Sequence, residues 1–155
     1  QADAMDDAVR SYIRSDYETA YKILAPMVEQ GNAAAEAMVA AMYRYGEGVE
    51  IDPEKSAQLF RLASLQGDVG AQYNLAQLYL TGFGVEQSIA HALMWLTIAL
   101  DEMGYEEFVR DSGASVRQPI TEFRQNVVSQ AGFLDLAMAL DMAAQCRKSK
   151  YKDCD

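Results

Sequence analysis

The sequence predicts an all-helical fold built from stacked two-helix units, and three observations carry that prediction. The chain matches itself when shifted by 36 residues. Within each copy the apolar residues recur at helical spacing. Only three prolines interrupt 155 residues, and alanine runs through nearly every segment. Half of the residues are apolar and 23% are charged, as in a globular chain able to bury a core without disulfides.

The shift pairs Gly31 with Gly67, Gly46 with Gly82 and Gly48 with Gly84. It also pairs Ala35 with Ala71, Val39 with Leu75, Ala40 with Ala76, Met42 with Leu78 and Tyr43 with Tyr79. Further on, Leu59 meets Trp95, Phe60 meets Leu96 and Ala63 meets Ala99. Small falls on small and large on large, as packing between stacked units demands.

Taken in order, Asp16 to Asn32 reads as the second helix of a first unit, stopped by Gly31 in a left-handed cap. Ala71, Leu75, Leu78 and Tyr79 stand at i, i+4, i+7 and i+8, one helical face, and the preceding unit repeats it. Asp52-Pro53 opens a following helix as N-cap and first helical residue, with Ser56, Leu59, Phe60 and Ala63 on its inner face. Each pair leaves an apolar face uncovered, so neighbours stack into a superhelical solenoid.

Tyr43-Arg44-Tyr45-Gly46-Glu47-Gly48-Val49, with Asp52 beyond it, resembles the signature of the Sel-one-like repeat (SLR) subclass of tetratricopeptide-like repeats. Tyr79-Leu80-Thr81-Gly82-Phe83-Gly84-Val85 resembles it again, with Ser88 where the family usually has Asp, and serine also caps helices. The resemblance covers about residues 7–104 and implies a right-handed solenoid in which first helices line a concave groove. The expected organisation is one domain over residues 1–155: repeats over 7–104, an acidic insertion over 105–118 and capping helices over 119–155. One capping helix begins near Pro119 and runs to about Val128. The other runs from about Gln130 to Arg147, with Phe133, Leu136, Leu140 and Ala144 along its apolar face.

Cys146 and Cys154 are the two cysteines. In one continuous helix they would stand ~12 Å apart, too far for a bridge. A disulfide therefore needs the helix to end near Lys148–Lys150 and the tail to fold back. Two free thiols are the alternative, and a metal site is a poorer one because His91 is the sole histidine. The resemblance favours the disulfide, since cysteine-rich secreted SLR proteins carry a similarly spaced pair, and a disulfide implies a periplasmic or secreted location. The start at Gln1 fits a processed chain or a trimmed piece.

The net charge of −10 argues against nucleic acid or an anionic membrane surface as the main partner. The longest uncharged apolar stretch, Gln87 to Leu100, is too short to span a bilayer. Each Gly-x-Gly loop lacks the rest of a phosphate-binding fingerprint. His91 reads as a flanking surface residue, and the acidic group Asp101, Glu102, Glu106, Glu107 and Asp111 lacks EF-hand spacing. No cofactor or catalytic residue is expected.

The function expected from the resemblance is binding of another protein through the groove, by an exported adaptor or regulator. Opposite the buried stripe of one first helix lie Tyr73, Gln77 and Leu80, and one unit earlier Ala37, Ala41 and Arg44. These six form the expected contact strip, with burial against the C-terminal helices as the competing reading. Two other functions stand beside it: an inhibitor or immunity-type protein capping a basic partner, and a hydrolase of the β-lactam-binding kind linked with cysteine-rich SLR relatives.

Overall fold

In the computed structural model the 36-residue period becomes a succession of antiparallel helix pairs. The structure describes residues 2–103 and 117–154. The first pair is α1 (Ala2–Ile13) and α2 (Tyr17–Glu29), the second α3 (Ala33–Tyr45) and α4 (Pro53–Leu65), and the third α5 (Val69–Thr81) and α6 (Ile89–Glu102). Two further helices, α7 (Arg117–Gln130) and α8 (Phe133–Lys148), both pack on α6 rather than on each other, and no strand occurs among the described residues. Helix α1 adds a first partner to α2, beginning ahead of the expected repeat start near residue 7.

Local chemistry sets the boundaries. Asp16, Asn32, Asp52, Asp68 and Ser88 are N-caps whose side chains accept from the backbone N–H three residues on, at 2.7–3.2 Å. Helices α3 and α5 end on Gly46 and Gly82, both at φ +70°. There the N–H groups of Gly46 and Glu47 share the Met42 carbonyl, and those of Gly82 and Phe83 share that of Leu78. The following N-cap is tied back to the same helix: Asp52 N–H donates to the Tyr43 carbonyl and Ser88 N–H to that of Tyr79.

The second glycine of each loop makes the stack. A Cβ on Gly84 would lie 1.9 Å from the Pro53 carbonyl oxygen, and one on Gly48 would lie 2.8 Å from Tyr17 Cβ. Tyr17 and Pro53 are the first residues of α2 and α4, themselves 36 apart. Each loop thus seats on the start of the preceding unit's second helix, an approach only glycine permits.

The core is continuous along the stack. Ala8, Ala20, Leu24, Ala35, Val39 and Met42 form one cluster, and Phe60, Leu75, Leu78, Trp95, Leu96 and Ile98 belong to a larger one reaching Ile120, Val127, Ala143 and Cys146. Leu59 packs against both.

The apolar face expected for α8 is corrected. Ala139, Ala143 and Cys146 are its buried residues, whereas Phe133 is 88% and Leu140 57% exposed and Ala144 is also exposed. Small residues let α8 lie close on α6; Leu136 of the expected face packs half-buried against the core with Met142, and Phe133, Leu134, Met138 and Leu140 turn outward. The expected acidic insertion, with Glu106, Glu107 and Asp111, falls mainly outside the described residues.

Candidate functional site: the row of first helices

Helices α1, α3, α5 and α7 follow one another along one side of the stack. Between α1, α3 and α5 lies a cleft of about 280 Å³, lined by Tyr12, Ala37, Met38, Ala41, Phe60, Asp68, Gly70 and Asn74. Alanine and glycine at these positions leave the space, and Phe60 supplies an apolar floor. At its rim Tyr12 donates to the Glu47 carboxylate, and burial together with that bond pushes the phenol well above its usual range.

The six residues of the expected strip divide into two groups, and all are half-buried. Ala37 and Ala41 face the cleft. Arg44 Nη1 donates to Asn74 Oδ1 at 3.1 Å and to Gln77 Oε1 at 3.0 Å, bridging α3 to α5, while its guanidinium lies 5.2 Å from the Tyr45 ring centre. Tyr73 turns the other way. Its ring meets Phe123 of α7 edge to face at 5.4 Å, and Leu80 likewise packs against the larger core.

A second cleft, of about 330 Å³, opens between α2 and α4 and was not anticipated. Tyr21 and Tyr43 share a hydroxyl–hydroxyl hydrogen bond of 3.0 Å there, which with burial raises the Tyr21 phenol. Lys55 stands 5.1 Å from the Tyr43 ring centre. One period on, His91 stacks on Tyr79 at 4.9 Å, its Nδ1 2.8 Å from Ser88 Oγ. The alignment of Tyr43 with Tyr79 and of Lys55 with His91 was the available signal. The sole histidine is therefore held by a helix cap and a ring stack in the place Lys55 occupies.

At the C-terminal end α8 stops at Lys148, and Lys150 and Tyr151 take positive φ of 55° and 64°. That reversal brings Cys154 back to Cys146, Cα to Cα 4.4 Å, and the two sulfurs are bonded. Tyr151 donates to Glu102, Arg147 pairs with Asp101, and Gln145 donates to Asp153 at 2.6 Å. Ser149 and Lys152 stand in Ser-x-x-Lys spacing. Ser149 Oγ donates to the Cys146 carbonyl at 2.8 Å and accepts from Asp153 N–H at 2.9 Å, so its hydroxyl serves the turn. Among the described residues no group of three or more His, Cys, Asp or Glu side chains is placed to hold a metal ion.

Stacked helix pairs with a cleft between first helices define a solenoid repeat protein, the architecture of a binding scaffold. Residues 33–68 and 69–102 each match the Sel1 repeat, so the chain carries two Sel1 repeats. It is similar to a Sel1 repeat protein from Oxalobacter formigenes: 29% identity, TM-score 0.61, covering 64% of this chain and 41% of that one. It is also similar to c5321, a protective antigen of uropathogenic Escherichia coli strains with an SLR fold: 20% identity, TM-score 0.79, covering 96% of this chain and 31% of that one. At that lower identity the likeness is one of fold. The chain spans less than half the length of either protein. No curated protein matches it.

Proposed function

We propose that this protein is an adaptor or regulator that binds another protein through its row of first helices, without catalysis of its own. Sel1-like repeats in general mediate protein–protein contact. The observation that carries the reading here is the cleft beside Ala37 and Ala41, apolar at its floor and polar at its rim. Small side chains that leave a concavity between rigid helices suit an inserted partner side chain. Arg44, Asn74 and Gln77 already satisfy one another, so they form a fixed polar border that a partner's backbone can meet through their remaining lone pairs and N–H groups. Within the six-residue strip, Ala37, Ala41, Arg44 and Gln77 are the proposed contact residues, while Tyr73 ties α5 to α7 through Phe123 and Leu80 packs into the core.

The setting proposed is an oxidising compartment, periplasmic or extracellular. The Cys146–Cys154 bridge supports it, and no described helix is long and apolar enough to cross a membrane.

The test is affinity capture from native extract with mass-spectrometric identification, using the wild type beside Ala37→Arg and Ala41→Arg. Filling the cleft should abolish recovery of the specific partner while helicity is unchanged. Equal recovery by both variants would overturn the assignment. A complex that instead weakens steeply with salt, and ignores these substitutions, would favour the inhibitor reading, in which the acidic surface covers a basic protein.

A further inference from the structure

Helix α8 buries one face and leaves another open. Phe133 is 88%, Leu134 69%, Leu140 57% and Met138 45% exposed. On a 3.6-residue helix Phe133, Ala137, Leu140 and Ala144 fall along one line at spacings of four, three and four, with Leu134 and Met138 beside it. Together they present apolar area on the order of 500 Å², toward the upper end for the largest patch on a monomer. Helix α1 mixes charge into its open face: Asp3, Asp6, Asp7 and Arg10 face solvent beside Val9 and Ile13.

We propose that this face of α8 is the interface of a homodimer, in which α8 and its copy pack antiparallel about a two-fold axis close to residues 138 and 139. The argument for a second copy as the occupant is self-complementarity. Reversing the helix on itself at that point sets Phe133 against the second copy's Ala144, and Ala137 against the second copy's Leu140. Large meets small at each step, so the ridge of one helix enters the groove of the other. A two-fold interface must use one patch twice, and this patch fits itself. Joining two copies removes ~1,000 Å² of apolar area, with polar margins in addition, which reaches the lower bound for a specific interface. Each copy carries a net charge of −10, so long-range repulsion opposes association and salt relieves it.

The experiment is sedimentation velocity on the full chain, from micromolar to about 0.2 mM protein, at low and high salt. The wild type should show a concentration-dependent dimer, favoured at least threefold by high salt. Leu140→Glu and Ala144→Glu should each weaken it about tenfold or more. Both positions are exposed, so helical circular dichroism and melting temperature should not move. A chain that stays monomeric throughout at both salts would overturn the proposal, as would a dimer that survives both substitutions. Should Leu140→Glu disturb folding, Ala144→Glu still reads the same face.

Discussion

Gln66 Nε2 donates to Glu36 Oε2 at 2.8 Å, joining the start of α3 to the end of α4 in one unit. One period later the same two positions are Gln72 and Glu102, and they are hydrogen-bonded with the residue types exchanged. Gln72 also donates to the Ser64 carbonyl at 3.2 Å. The repeat conserves a polar clamp between its two helices, not the identity of the residue at either end. Burial raises both carboxyls above the usual range, and the amide partner partly offsets it.

The clamp carries a pH signature. Glu36 is 3% exposed and its folded pKa is raised, so the folded state holds its proton more tightly than the unfolded chain. Its contribution to stability is fully present below the unfolded value and is lost as pH rises through the folded one. Glu36→Gln keeps an acceptor for Gln66 and removes the buried charge. The variant should melt higher than the wild type at pH 7, with the difference shrinking toward pH 4. Thermal unfolding at both pH values checks this, and a Glu36→Gln variant less stable at pH 7 than at pH 4, relative to wild type, would contradict it.

Two loop glycines should differ sharply on substitution. Gly31 has φ +75° with nothing within 4 Å of a Cβ, so Gly31→Ala should cost only the left-handed penalty, about 1–2 kcal/mol. Gly84 has φ +72° and a Cβ there would run into the Pro53 backbone. Gly84→Ala should therefore cost more than ~3 kcal/mol, because neither backbone can yield without unseating a repeat. Urea unfolding of the two variants side by side measures the gap.

Tyr73 should behave as a packing residue. Tyr73→Ala and Phe123→Ala should each destabilise the fold, and the double variant should show a coupling of about 0.5–1.5 kcal/mol. Leu75→Ala, at a fully buried position, calibrates the scale at ~2–5 kcal/mol. A Tyr73→Ala variant that weakens partner capture without losing stability would return Tyr73 to the contact surface.

Reduction of the Cys146–Cys154 bridge should loosen the tail rather than the domain. Closing so short a loop is worth roughly 2.5 kcal/mol in the chain-entropy model. The groups released are the tail contacts of Tyr151 and Asp153. Hydrogen exchange should rise over α8's last turn and the residues after it, with α3 to α6 protected as before. Thiol titration of the unreduced, denatured protein should find no free thiol.

The period, the caps and the loop glycines were legible because they are local. Asp52 caps α4 and Gly46 ends α3 through contacts spanning a few residues, so their spacing alone carried the reading, and the same spacing carried the family. Two assignments were not local. Phe133, Leu140 and Ala144 share a helical face with regular apolar spacing, but spacing cannot say which of two plausible faces meets α6. Close approach to α6 selected the alanines and Cys146. Tyr73 likewise lies opposite the buried stripe of its helix, and only the position of α7 put Phe123 against it. The 36-residue repeat of this chain specifies its helices and their order, because hydrogen bonds and caps act within one turn. Which side chains remain for a partner was decided in three dimensions, where each face is judged by the neighbour that covers it.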